Sequence, residues 1–143
     1  MSSPRSISVS KLIHAPASRI FDLLADPRQH VVLDGSGSVT SVKSAPTRLA
    51  HGSTFSMHMK MGLGYVTRNR VVEFEENRRI AWHHFALFIW RYDLEEVEGG
   101  TLVTESFNYD RPWAFAIIAL GFPEKNRAAM KSTLERLEAA VTS

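Results

Sequence analysis

The stretch from Pro123 to Ser143 restricts the fold more than any other part of the chain. Met130, Leu134, Leu137 and Val141 recur there at steps of four, three and four, which draws one apolar stripe at helical period. Pro123 suits a first helical position, where its fixed φ fits and its missing N–H costs nothing. Lys131, Glu135 and Glu138 fall on other faces, and neither Gly nor Pro interrupts the run. A lone helix of this length is marginal in water. Burying the four stripe side chains contributes roughly 1.5–3 kcal/mol each before entropy is subtracted, so the helix requires a surface to close on. Most of the preceding chain reads as strand. The expectation is a long terminal helix laid across a sheet.

The strands follow from alternation and turn chemistry. Ser6 to about Ile13 alternates strictly. Pro16 then opens a helix whose Ala17, Ile20, Phe21 and Leu24 form a second stripe, and Asp26-Pro27 ends it and starts a second short helix as cap and first residue. Asp34-Gly35-Ser36-Gly37 reads as a turn. A phosphate cradle would need a following helix and a Lys-Ser/Thr pair, and neither is present. Strands are expected at Val39–Lys43, Ser53–Met61, Tyr65–Phe74, Arg79 to about Phe85, Phe88–Glu95 and Thr101–Tyr109. Gly62 and Gly64 bracket one hairpin turn, and Gly99-Gly100 signals another. Seven strands joined mostly by short turns imply one antiparallel sheet with all helices on one face, an α+β arrangement. The 143 residues are expected to form a single domain spanning 1–143.

Composition excludes several functional classes. Hydrophobic content of 44% with 22% charged residues suits a soluble globular chain. A formal charge of +2, with Lys and Arg scattered among acids, argues against nucleic acid. There is no cysteine, so disulfides and thiolate metal sites are ruled out. Of the six histidines, His83 and His84 are adjacent and point to opposite faces of a strand, while His14, His30 and His51 sit near element ends. No H-x-H or H-E-x-x-H spacing occurs, so neither a metal nor another cofactor is expected. No serine lies in a nucleophile-elbow context. Met1 to Arg5 lacks the apolar core of a signal peptide, which makes the cytoplasm the default location.

A set of local motifs resembles the birch-pollen-allergen-like superfamily, also labelled START, SRPBCC or polyketide cyclase/dehydrase, in its actinobacterial branch. The motifs are Ile13-His14-Ala15-Pro16, Ile20-Phe21-Asp22-Leu23-Leu24-Ala25-Asp26-Pro27 and Leu33-Asp34-Gly35-Ser36-Gly37. Downstream come Val72-Glu73-Phe74, Arg79-Ile80-Ala81-Trp82, Trp90-Arg91-Tyr92, Gly99-Gly100-Thr101 and Val103-Thr104-Glu105. The resemblance covers essentially the whole chain. It implies a helix-grip fold, in which a seven-stranded antiparallel sheet wraps the long C-terminal helix and leaves an apolar cavity, with two short helices after the first strand. Members of such folds include carriers, cyclases, hydrolases and regulators.

The alternation nominates cavity residues. Phe55, Met57, Met59, Trp82, Trp90 and Tyr92 share the inner face, as do Phe107 and Tyr109, with Glu105 between apolar neighbours. Aromatic and Met side chains suit a flat or flexible apolar ligand, although any one of them also suits an ordinary core. Tyr92 and Tyr109 bring phenols that seek a hydrogen-bond partner when buried. Glu105 is either a ligand-anchoring acid with a raised pKa or a structural acid that is paired or wet. Met130 and Leu134 face the cavity from the terminal helix. Trp113 to Phe122, with Phe115 among its apolar residues, is too short to span a bilayer. It reads as a buried connection, as a lid at one cavity mouth, or as a contact surface for a membrane or partner.

Three functions therefore stand. The first is binding or transport of a hydrophobic small molecule (a lipid, polyketide or isoprenoid-like metabolite). The second is a cyclase-, aromatase- or hydrolase-type enzyme using Glu105 and a tyrosine. The third is a regulatory module that binds protein through Trp113–Phe122. A hydrophobic ligand is the expected partner, without nucleic acid or stable membrane insertion, and homodimerisation remains open.

Overall fold

A computed structural model describes residues 5–84 and 87–142. The expected ends at Phe85 and Ser143 lie outside them. The described residues form strand β1 (Ser6–Ile13), helices α1 (Ala17–Leu24) and α2 (His30–Leu33), strands β2 (Val39–Ser44), β3 (Thr54–Met61), β4 (Leu63–Glu75), β5 (Arg79–His83), β6 (Ile89–Val97) and β7 (Gly100–Asn108), then α3 (Phe115–Ala119) and α4 (Phe122–Thr142). The seven strands make one antiparallel sheet in the order β1-β7-β6-β5-β4-β3-β2. Every step from β2 to β7 is a neighbour-to-neighbour connection, and only the passage through α1 and α2 carries the chain from one sheet edge to the other. This is the helix-grip fold.

The stripes predict which faces are buried. Ala17, Ile20, Phe21 and Leu24 of α1 are all buried, as are Met130, Leu134, Leu137 and Val141 of α4. On β7, Thr101, Val103, Glu105 and Phe107 point inward in strict alternation. β4 departs from alternation. A bulge between Val71 and Glu73 shifts its register against β5, so Val71 faces Trp82 and Phe74 faces Ile80. The extra residue returns Phe74 to the inner side, where its ring meets Phe21 edge-on at 5.3 Å. Arg48 covers this end of the molecule. Its guanidinium lies over both rings, at 5.7 and 5.9 Å, and bonds Asp22 at 3.1 Å and Glu76 at 2.7 Å.

Other boundaries differ from expectation for local reasons. The second short helix begins at His30 rather than Pro27, because Asp26 caps a turn first: its Oδ1 accepts the Arg28 N–H at 3.0 Å. β7 stops at Asn108, one residue before Tyr109, whose N–H bonds back to the Arg5 carbonyl at 2.9 Å.

The 34–37 turn is pressed directly onto α4. The Asp34 carboxylate accepts hydrogen bonds from the Ser36 N–H (3.1 Å), the Ser36 hydroxyl (2.7 and 2.8 Å) and the Val39 N–H (3.0 Å). The Gly35 N–H donates to Thr133 Oγ1 at 2.9 Å, and Arg136 donates to the Asp34 carbonyl at 2.9 Å. A Cβ on Gly35 would stand 2.3 Å from the Ala129 carbonyl oxygen and 2.7 Å from the Thr133 nitrogen. Both are backbone atoms that cannot yield without moving the helix.

Two stability outcomes follow. Leu134→Ala, which empties a fully buried position between α4 and the sheet, should cost about 2–5 kcal/mol in denaturant melts. Gly35→Ala should destabilise more than Gly37→Ala in the same assay. An added Cβ at Gly37 meets nothing, although φ there is +71°, and the strain of a left-handed residue is on the order of 1 kcal/mol.

Candidate functional site

The two halves of α4 meet different surroundings. Its C-terminal half places Leu134, Leu137 and Val141 in the same core as Ile20, Phe21 and Leu24 of α1. Its N-terminal half presents Asn126, Ala129, Met130 and Thr133, whose modest side chains do not fill the curve of the sheet. A cavity of about 780 Å³ remains between this half, the 34–38 turn and strands β3 to β7, within the usual size range of small-molecule sites.

Nine of the twelve residues nominated from the sequence line this cavity: Phe55, Met57, Met59, Trp82, Trp90, Tyr92, Glu105, Phe107 and Met130. The aromatic members form two banks. Trp82 packs against Phe55 edge-on at 5.8 Å and against Tyr92 at 5.8 Å. Trp90 lies 4.4 Å from Phe107, which meets Phe88 edge-on at 5.9 Å. Such offset and edge-on pairs hold ring positions better than aliphatic contacts do.

Three nominated residues lie elsewhere. Leu134 is packed core, because one helical turn beyond Met130 carries it to the end that α1 closes. Tyr109 sits past the end of β7 and stacks on the ring of Phe107 at 5.5 Å without joining the lining. Phe115 is 69% exposed. Positions 115 and 117 lie on nearly opposite sides of a helix, and Ile117 is the one that faces the cavity.

Glu105 is the chemical centre of the lining. It is 3% exposed, and its Oε1 is buried without a hydrogen-bond partner. Tyr92 is its register partner on β6 and Val9 its partner on β1. Burial raises the Glu105 pKa to about 8, the negative charge of Asp34 adds to the rise, and the Tyr92 phenol acts against it by favouring the carboxylate. The acid is thus mainly neutral near pH 7. Burial and the proximity of Glu105 push the Tyr92 phenol well above its ordinary range.

The sequence reading passed over three polar contributors. His30 stacks on Trp82 at 4.9 Å, meets Phe55 edge-on at 5.6 Å, and bonds the Leu24 carbonyl through Nε2 at 2.8 Å. Burial lowers its pKa, against the carbonyl bond and the nearby charges of Asp26 and Asp34. A carbonyl only accepts, so Nε2 carries the proton and Nδ1 is left as an acceptor. Sorting histidines by metal spacing hid this residue, whereas its i, i+3 relation to the buried Leu33 marks the same helix face. Thr67 and Asn69 are buried on β4, and the Asn69 amide donates to the Phe55 carbonyl and to Thr67 Oγ1, both at 3.3 Å. They fall at the same period-two positions as the cavity-lining Tyr65 and the buried Val71, a pattern visible in the sequence.

The Trp113–Phe122 segment is not a buried connection. Pro112–Ala114 forms a 3₁₀ turn in which Ala114 is buried, and α3 buries none of its residues. Ile117 and Phe122 reach the cavity, while Trp113, Ile118 and Leu120 are exposed alongside Phe115. No helix among the described residues is long and apolar enough to cross a membrane. No group of three or more His, Asp or Glu residues gathers among the described residues in a way that could hold a metal. A groove of about 330 Å³ lies on the outer sheet face, where Arg79 pairs with Asp93 at 2.6 Å and Arg78 with Glu75 at 3.6 Å. Both of its arginines are thus already paired.

A helix gripped at one end by a curved sheet, over an apolar cavity whose lining includes the buried acid Glu105, is a ligand-cavity architecture. The chain belongs to the family described as "Polyketide cyclase / dehydrase and lipid transport", whose model matches residues 4–142. It is 36% identical over 141 residues to the uncharacterised Mycobacterium tuberculosis protein Rv0088, covering 94% of this chain. The chain spans 63% of the length of that relative. Among solved structures, protein CV1439 from Chromobacterium violaceum superposes with a TM-score of 0.74 at 18% identity, covering 98% of this chain and 99% of that one. The Polyketide_cyc-like protein Cgl2372 from Corynebacterium glutamicum gives 0.62 at 23% identity, covering 99% and 92%. At these identities the likeness is one of fold.

The state of Glu105 makes stability depend on pH. Between its ordinary value of 4.5 and its folded value of about 8, the folded chain keeps a proton that the unfolded chain has released. Stability is therefore highest in this respect below about pH 4.5 and falls as pH rises through 8. Glu105→Gln should flatten that decline, by a few kcal/mol between the two ends. Denaturant midpoints measured from pH 5 to pH 9 for both proteins check this.

Proposed function

We propose that this protein binds a hydrophobic small molecule between α4 and the sheet. The observation that carries the reading is the 780 Å³ cavity, walled by Phe55, Met57, Met59, Trp82, Trp90 and Phe107. Phe55, Met57 and Phe107 are already buried, but Met59, Trp82 and Trp90 keep part of their surface accessible, and covering it would have stabilised the fold by about 25 cal/mol per Å². The fold forgoes that gain along half of its longest helix. The family description, which joins cyclase and dehydrase activity with lipid transport, is consistent with a ligand of this character.

A second reading, an acid-catalysed reaction of the bound molecule, is favoured by one observation. Glu105 is neutral near pH 7, faces the cavity and stands opposite Tyr92, as a general acid must. Its proton would pass to a ligand oxygen, with Tyr92 positioned to steady the carboxylate left behind. Turnover would separate this reading from simple binding: a compound recovered unchanged after prolonged incubation supports carriage, and a product whose formation is lost in Glu105→Gln supports catalysis.

α3 is exposed, its Ile117 lines the cavity, and Gly121, with φ +74°, joins it to α4. We assign the Trp113–Phe122 segment control of access. Native mass spectrometry of the purified protein should reveal a co-purified apolar compound. Ala129→Phe, which places a ring in the cavity, should abolish its retention while leaving the thermal melt cooperative. Ile117→Glu should change the uptake and release rates of an uncharged fluorescent probe in stopped-flow measurements. Unchanged rates in a folded variant would remove the access role from this segment.

A further inference from the structure

The cavity carries a chemical preference that its apolar walls alone would not impose. Its polar groups are unevenly distributed. Glu105 lies in the wall formed by β6 and β7, enclosed by Tyr92 and with one carboxyl oxygen lacking any partner. Asp34 stands in the turn on the other side of the cavity and contributes a negative potential at Glu105. The remaining titratable groups of the lining are His30, Tyr65, His84, Tyr92 and Lys125. Burial lowers the pKa of both histidines, so neither supplies a positive charge near pH 7. Lys125 is exposed on the first turns of α4, with its ammonium over the ring of Phe122 at 5.3 Å. It belongs to the mouth rather than to the interior.

We propose that the cavity selects an uncharged apolar molecule bearing an alcohol or carbonyl oxygen, which it seats against the Glu105 carboxyl once a turn of that side chain presents its buried, unpartnered oxygen to the cavity, and that it discriminates against the carboxylate of the same chain length. This rests on the hydrophobic-ligand reading above and specifies its ligand. A neutral carboxyl offers both a donor and an acceptor. It can therefore donate to a ketone, or exchange hydrogen bonds with an alcohol. A carboxylate brought to the same place would lose its hydration, meet the field of Asp34 and find no interior cation. An alkane would fill the volume but leave Oε1 as it stands, without a partner, in a cavity now closed to water.

The test uses the full chain and N-phenyl-1-naphthylamine, an uncharged fluorescent probe. It is displaced in turn by decanol, methyl octyl ketone, decane and decanoate at pH 7. The alcohol and the ketone should bind about tenfold or more tighter than decane or decanoate, the value expected for satisfying one buried polar group. Glu105→Leu should reduce the alcohol and ketone to the affinity of decane, and Glu105→Gln should retain most of the preference. A thermal melt verifies that each variant is folded. If Glu105→Leu fails to fold, Glu105→Gln at pH 9 supplies the comparison: the preference should weaken with pH in the natural protein and persist in the variant. Equal binding of all four compounds would overturn the preference while leaving the hydrophobic-ligand reading intact. Decanoate binding as tightly as decanol, and losing that affinity in Lys125→Met, would place a carboxylate head at the mouth and also overturn it. Failure of the probe and of every compound to bind would remove both readings together.

Discussion

The fold depends on α4 being packed into the core along one half while the other half, tied down at Met130 and Thr133, stands over open space. Leu134, Leu137 and Val141 lock its C-terminal half against α1 and the sheet, and about 1.5–3 kcal/mol for each such side chain is enough to anchor a helix that would be marginal alone. The N-terminal half then projects as a rigid extension over the concave face, with no obligation to fill it. The antiparallel ladder fixes the opposite wall. The cavity is the space these two constraints leave, and its size follows from Ala129, Thr133 and their neighbours being too small to close it.

Glu105 runs against the interest of stability. A leucine at that position would pack without a desolvation cost, whereas the acid is buried with an oxygen unpartnered. Tyr92 softens that cost by favouring the carboxylate, whereas Asp34 adds to it. A local violation of packing rules inside an otherwise consistent core is the usual mark of a working site. The same logic applies to Asn69 and Thr67, which satisfy each other and the Phe55 carbonyl rather than anything in the core.

Much of this was legible in the sequence, and for identifiable reasons. Period-two alternation on β6 and β7 set the inward faces, because two strands joined by Gly99-Gly100 have little freedom of register. The same alternation placed Trp90, Tyr92 and Glu105 in one lining. It stopped working where the backbone left the regular pattern. The bulge at Val71–Glu73 was invisible, since one inserted residue leaves no mark in composition. Leu134 was misplaced because a stripe defines a helix face but not which turns of that face meet core and which meet space. Phe115 was misplaced because an apolar run without polar punctuation has no readable phase. The unpaired state of Glu105 is a matter of three-dimensional proximity, which no spacing encodes.

The seat of the 34–36 turn on α4 has a mechanical corollary. Gly35 lies so close to the backbone of Ala129 and Thr133 that turn and helix behave as one stiff piece, bolted further by the Arg136 bond to the Asp34 carbonyl. Lifting α4 to widen the cavity would have to tear this piece from β2 or bend it as a whole. Gly121 offers a far softer joint: a substituent there meets nothing, and its N–H makes a single turn bond to Ile118 at 3.0 Å. In the proposed access role the helix would serve as the fixed jamb and α3 as the leaf. Under the proposed access role, traffic into the cavity would pass Ile117 and Phe122, which line it, rather than the polar turn on α4.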